Sequence, residues 1–238
     1  MLDRKAFYGN IYSGEPIYMI IDLNLKGKLV LVVGGGNEST RKIESLLSQQ
    51  CDIVVVAEKV EKSIKRYADA GKIILELRKI NNIDFIKKYK QLSLILATTD
   101  DCELNREIVL FGKSHGCYVY AADDPQVSDF SHPSVINIKD TVQVAISTGG
   151  RSPLMGKTLR ERVEPIIKNS INDLILHQIK LQEQLRVEVQ QILPSAEYRK
   201  KFLIELMNDG EVNKLLDEKK ISTAKALAYE RLNTYVLR

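Results

Sequence analysis

Apolar residues run unbroken from Leu29 to Val33 and again from Ile53 to Ala57, and each run stops at small, charged or turn-forming residues. Side chains of both parities are apolar and many are β-branched, which suits central strands of a parallel sheet covered by helices on both faces. Residues 40–50 between them carry an amphipathic pattern of helical period, so the two strands and their connection read as a βαβ unit. The alternation continues. Short apolar runs at 73–77, 92–97 and 118–121 predict further strands, and 61–70 and 105–115 predict helices between them. Residues 141–146 add one more strand to the same sheet. A doubly wound parallel α/β sheet accounts for this order. After Gly149 and Gly150 the pattern changes to one continuous helical stretch over 154–193, with Leu, Ile and Val spaced by three and four among many charges. Pro194 ends it. Ser195 and Ser222 are expected N-caps of two further helices, and Gly210 is expected to mark the turn between them.

The end of the first strand carries the first candidate chemistry. Gly34, Gly35 and Gly36 follow Val33, and Asn37 and Glu38 open the next helix. Gly34 permits a tight turn, Gly36 lets backbone approach a diphosphate without a Cβ in the way, and the helix start offers unpaired N–H groups to the anion. Ser39 stands where a G-x-G-x-x-G fingerprint has its third glycine, and a small residue there still allows helix and strand to pack closely. The sheet is therefore read as Rossmann-like. Glu58 closes the second strand where an acidic side chain would bond an adenosine ribose, which favours NAD over NADP, and its plainer reading is a solvated charge. Lys59 beside it suits a cofactor phosphate instead.

In such a sheet the ligand lies across the carboxyl ends of the strands. Two further loops there carry polar groups. Thr98, Thr99 and Asp100, followed by Asp101, are expected to line the cofactor groove, and Asp123-Asp124-Pro125 forms a third loop. Asn105 reads equally as a helix-start amide and as a cofactor contact.

Composition narrows the function classes. The 238 residues carry 35 basic and 31 acidic side chains, a formal charge of +4, which suits an anionic ligand but not a nucleic-acid footprint. No apolar stretch reaches the roughly 18 residues of a membrane helix, and the first residues lead into no secretory apolar region, so a cytoplasmic protein with no membrane partner is expected. Cys51, Cys102 and Cys117 are widely spaced and odd in number, and are read as reduced thiols. The histidines, His115, His132 and His177, have no metal-binding spacing, and a permanent metal is not expected. His115 reads as a helix C-terminal dipole partner and His132 as a loop residue that either touches ligand or does not.

Read together, several segments resemble the siroheme synthase family, in particular its precorrin-2 dehydrogenase and sirohydrochlorin ferrochelatase module. They are Pro16-Ile17-Tyr18-Met19-Ile20-Ile21-Asp22-Leu23, the triple glycine, Arg41-Lys42, Ala97-Thr98-Thr99-Asp100, Asp123-Asp124-Pro125, Phe130, His132-Pro133-Ser134-Val135, and Ala145-Ile146-Ser147-Thr148-Gly149-Gly150-Arg151-Ser152-Pro153. The S-T-G-G-x-S-P order is the most specific of these. The match runs from about residue 16 to 164 and is loose beyond 169. The resemblance implies oxidation of precorrin-2 to sirohydrochlorin with NAD, and Fe2+ as a substrate of a second, chelating activity in the same cleft. It also implies that Asp123, and not Asp124, is the catalytic carboxylate, expected to be buried there and to accept a proton as general base. The plainer reading of Asp123 is a turn cap before Pro125. Ser147, Thr148, Gly149, Gly150, Arg151 and Ser152 would bind the carboxylates of the substrate, with His132 beside them. Domains are expected at 1–15 (an extension), 16–141 (NAD-binding), 142–168 (dimerisation and substrate loop) and 169–238 (helical). The long amphipathic stretch and the resemblance together imply a homodimer. Two rival readings remain, a chelatase without the redox step and a non-enzymatic regulator that binds NAD or tetrapyrrole, the latter without any helix-turn-helix to support it.

Overall fold

A computed structural model of the chain describes residues 19–236. The expected extension at 1–15 and the lead-in Pro16, Ile17 and Tyr18 lie outside those residues. The chain divides into two units, one running through His132 and including Ser147–Ser152, the other made of Pro133–Ile146 and the chain from Pro153 onward.

The first unit is built on five parallel strands, β1 (Leu29–Val33), β2 (Asp52–Ala57), β3 (Ile74–Leu77), β4 (Leu92–Ala97) and β5 (Tyr118–Ala121), in the order β3-β2-β1-β4-β5. The apolar runs form strands because they can be covered on both sides. Leu31 and Val33 of β1 enter one core with Ile95, Ile108 and Val109, while Val30 and Val32 enter the other with Ile43, Leu46 and Ile64. Burying each such side chain contributes on the order of 2 kcal/mol, so the centre of the sheet is the firmest part of this unit. The covering helices are α1 (Asn37–Leu46), α2 (Lys62–Asp69) and α3 (Cys102–Ser114), with a 3-10 turn at Asp84–Lys88. Chain order reverses between β1 and β4, so the crevice at their carboxyl ends is the topological switch point where such folds bind ligands.

The second unit departs from the sequence expectation in four places. Residues 141–146 were expected to join the parallel sheet. Instead β7 (Val142–Ile146) pairs antiparallel with β6 (Ser134–Ile138) in a separate two-stranded sheet. The tight turn between them has Lys139 at φ 48° and Asp140 at φ 51°, closed by the Thr141 N–H on the Ile138 carbonyl at 3.0 Å. That turn normally carries Asn-Gly or Asp-Gly, so its sequence gave no hairpin signal. The predicted helix over 154–193 is two helices, α4 (Pro153–Ser170) and α5 (Asp173–Ile192), because Asn172 accepts the Ile175 N–H at 3.0 Å and restarts the chain as an N-cap. After α6 (Ala196–Met207), α7 begins at Gly210 itself (Gly210–Asp217), with Asp209 as its cap. Helix α8 (Ile221–Val236) begins one residue before Ser222, which is therefore helical and not a cap. Ser195 holds the cap position of α6 without making a side-chain cap bond.

Ile136, Ile138 and Leu176 form one small core with Val163 and Ile167, and Leu181, Leu185, Phe202, Leu216, Ala228 and Leu232 form a larger one among α5 to α8. No helix among the described residues is long and apolar enough to cross a membrane.

Candidate active site

The glycine turn is fixed by close approach of its own backbone to neighbouring loops. Gly34 has φ +127°, and a Cβ there would stand 2.4 Å from the Thr98 carbonyl oxygen. A Cβ on Gly35 would stand 2.0 Å from the Lys59 carbonyl oxygen, and the Gly35 carbonyl accepts the Glu61 N–H at 2.9 Å. Gly36 is different. Nothing lies within 4 Å of the place its Cβ would take, and as the N-cap of α1 it supplies no side-chain oxygen to the N–H groups of the first turn. An open glycine ahead of an uncapped helix start fits a diphosphate, which would accept those N–H groups and benefit from the helix dipole.

Ser39, fully buried, shows how the fingerprint tolerates a hydroxyl. Its Oγ shares a hydrogen bond of 2.8 Å with Thr98 Oγ1, and Thr98 in turn donates to the Val33 carbonyl at 3.0 Å. Thr98 is thus spent on tying β4 to β1 and α1. Asp101 accepts the Glu103 and Leu104 N–H groups as the N-cap of α3, which starts at Cys102, three residues earlier than predicted. Asp100 is exposed, as are Glu58 and Lys59 at the end of β2.

Asp123 follows β5, adjacent to β4, so by strand spacing its loop stands roughly 10 Å across the sheet from the glycine turn. Its carboxylate accepts the Asn105 amide N–H at 2.8 Å, and the Cys102 thiol also bonds it, which pushes that thiol's pKa up. The two neighbouring aspartates are differently employed, since Asp124 Oδ1 accepts the Gln126 N–H at 2.9 Å and closes the turn. Asp123 is exposed in the single chain, contrary to the burial expected of it. A depression of about 200 Å3 beside it is lined by Cys102, Glu103, Arg106, Asp124 and Val127.

Glu38 and His132 belong to a cluster that the sequence did not reveal. Glu38 pairs with Arg41 and, at 3.1 Å, with Lys42, whose ammonium lies 4.3 Å over the Tyr120 ring. His132 meets Tyr120 edge-on at 4.9 Å and Phe130 at 5.3 Å. Burial pushes Tyr120 up to about 12 and lowers Lys42 despite the partner carboxylate. Burial alone would raise Glu38, but bonding to Lys42 and the nearby cations outweigh it and hold the carboxyl below its usual value. The His132 residue keeps exposed surface, yet its ring is packed among these groups and its pKa is driven down to about 4, first by burial and then by Lys42. The imidazole is therefore neutral at physiological pH. A lysine at i+4 from a first-turn glutamate was the available signal for this cluster.

Ser147 to Ser152 form a closed turn, with Gly149 at φ 62° and Gly150 at φ 76°. Thr148 Oγ1 accepts the Ser152 N–H and donates to its carbonyl, both at 3.1 Å, and Ser147 Oγ accepts the Gly149 N–H at 3.1 Å. The Thr148 hydroxyl is thereby used within the turn. Arg151 is exposed and partnered. Among the described residues no group of His, Cys, Asp or Glu is arranged to hold a metal ion. His115 bonds the Phe111 carbonyl at 2.8 Å from the C-terminus of α3, and His177 bonds the Leu216 carbonyl at 3.0 Å.

Residues 21–134 match a family model described as "Putative NAD(P)-binding". The chain is 34% identical over 157 residues to a siroheme synthase of Nitrosococcus oceani, and 30% identical over 216 residues to one of Actinobacillus pleuropneumoniae. Over most of its own length the chain is similar to siroheme synthases. These matches cover 66% and 91% of the chain, which spans only 32% and 43% of the two relatives. Among solved structures, "SirC, precorrin-2 dehydrogenase" superposes with a TM-score of 0.62 at 23% identity, over 92% of this chain and 100% of that one, and so shares the fold. The chain meets the glycine fingerprint with Ser39 in place of the third glycine and keeps the packing through the Ser39–Thr98 bond.

Proposed function

We propose that the protein is a cytoplasmic enzyme that oxidises precorrin-2 to sirohydrochlorin with NAD. What supports the reading most is the placing of a carboxylate, Asp123, at the end of β5 in the same sheet whose switch point carries an open glycine turn and an uncapped helix start. NAD supplies the acceptor for the hydride. The substrate loses that hydride and one proton, which together account for the two electrons and two hydrogens removed. Gly34 makes the turn with its own N–H spent on the Val56 carbonyl, Gly35 to Glu38 hold the diphosphate through backbone N–H groups, Thr99, Asp100, Glu58 and Lys59 border the rest of the dinucleotide, and Asp123 accepts the proton as general base. The Ser147–Ser152 turn, with Arg151, and His132 are assigned to the substrate carboxylates, for which a backbone turn with two left-handed glycines is an apt anion platform.

The test is spectroscopic. Purified protein, precorrin-2 and NAD should yield sirohydrochlorin and NADH in equal amounts, with none formed without NAD. Failure to form NADH would leave no dehydrogenase. Ferrous iron added afterwards shows whether Fe2+ is a second substrate, and iron insertion with no NADH formed would make the chain a chelatase only.

The same reading includes a homodimer. Met155, Leu159 and Ile166 lie on one side of α4 by helical spacing and are 46%, 37% and 64% exposed, an apolar stripe of the kind that associates. Light scattering should give twice the 27.0 kDa chain mass, and Ile166→Glu should return it to one. A wild-type mass of one chain at micromolar concentration would refute the dimer.

A further inference from the structure

Asn105 lies in the first turn of α3 with its side chain wholly withdrawn from solvent, and its amide makes four hydrogen bonds. Oδ1 accepts the Thr99 N–H at 3.2 Å and the Thr99 hydroxyl at 2.7 Å, while Nδ2 donates to the Thr99 carbonyl at 3.0 Å and to Asp123 Oδ1 at 2.8 Å. A primary amide has two donor hydrogens and two acceptor lone pairs, so this one is saturated. Its orientation is dictated as well. The Thr99 backbone N–H can only donate, so the atom facing it must be the amide oxygen, and the NH2 group is left to face the carboxylate.

We infer that Asn105 is the positioning residue that fixes the Asp123 carboxylate against the cofactor-side loop after β4, through one amide bonded to both. The inference deepens the proposed dehydrogenase and rests on Asp123 as its base. Asp123 is exposed, and an exposed carboxylate on a turn would otherwise sample several rotamers. A donor held by a buried helix residue selects among them, with the Cys102 thiol at the exposed start of the same helix adding a second bond. The same amide grips Thr99 at three atoms, so the base and the dinucleotide groove cannot shift independently. Geometry held in this way is what converts a nearby carboxylate into an effective base, and small misplacements cost large factors in rate.

Two variants test it. Asn105→Ala removes the link and should lower kcat about 30-fold or more, a larger factor than the rise in the KM for NAD that follows from freeing Thr99, since only the transition state needs the aimed carboxylate. Asn105→Asp keeps the acceptor toward Thr99 but sets a second carboxylate against Asp123. It should move the acidic limb of the kcat–pH profile upward by about one unit or more, because two carboxylates in contact do not both ionise readily. The other charged or titratable groups facing Asp123 are Cys102, Glu103 and Arg106 on α3 and Asp124 on its own loop, and none of these changes in either variant. The limb shift reports that residue 105 touches the working carboxylate, and the kcat loss in Asn105→Ala reports the positioning: a merely structural asparagine would lower stability without the loss of kcat of about 30-fold. Independently of turnover, hydrogen exchange in the cofactor-free protein should quicken in Asn105→Ala at Thr99 and over residues 121–125 together. Unchanged kcat, an unmoved acidic limb, or faster exchange at Thr99 alone would each overturn the positioning role. Were the wild-type protein to form no NADH, the functional reading would fall while the exchange experiment still judged the link.

Discussion

Asp123→Ala is expected to lower turnover of precorrin-2 by about 10²- to 10⁴-fold, the usual contribution of a positioned general base. NAD affinity should stay within about threefold, because the glycine turn and α1 owe nothing to this side chain. Alanine also frees the Asn105 amide, so Asp123→Asn is the sharper variant. Asparagine keeps an oxygen for the Asn105 N–H, preserving the bond now 2.8 Å long, and removes only the capacity to take a proton. Steady-state kinetics and calorimetry with NAD, done side by side, decide the matter. Full turnover by Asp123→Asn would remove the residue from the chemistry, and equal loss of turnover and NAD affinity in both variants would make it a turn residue.

The second large effect comes from comparing two adjacent glycines. Gly35→Ala should destabilise the protein by about 3 kcal/mol, at the upper end for overpacking, because its Cβ would fall 2.0 Å from a backbone oxygen that cannot swing aside as a side chain would. Gly36→Ala should melt close to wild type, since its Cβ enters open space, yet lose most of its NAD affinity because that space is where the proposed function puts the diphosphate. Thermal unfolding with and without NAD separates the two. Gly36→Ala binding NAD as the wild type does would show that the diphosphate rests elsewhere.

The centre of the sheet was legible because β1 and β2 are buried on both faces, and a run such as Leu29 to Val33 has few other ways to hide its side chains. The β6–β7 hairpin was not legible. Its turn residues, Lys139 and Asp140, adopt left-handed backbone without glycine, and the bonds between Asn137 and Asp140 that support them are not a pattern a sequence displays. The division of the long helix at Asn172 was hidden for a similar reason, as Ser170 to Asn172 contain neither Gly nor Pro. At the candidate site the glycine turn and the Asp123 loop could be placed by their strands. The work of Asn105 could not, because its partners are 6 and 18 residues away and the spacing has no period. The Glu38–Lys42–Tyr120 cluster likewise joins residues up to 82 positions apart.

The lacing of the glycine turn to the loop after β2 bears on redesign. Lys59 contributes its carbonyl to the packing beneath Gly35, and Glu61 contributes its N–H to the Gly35 carbonyl, while the side chains of Glu58 and Lys59 remain in solvent. Backbone and side chain at this corner therefore answer to separate demands. On the proposed reading, in which Glu58 and Lys59 border the dinucleotide, an engineer wishing to exchange one nicotinamide coenzyme for its 2′-phosphorylated counterpart would change two solvent-facing side chains mounted on a frame that the exchange leaves untouched.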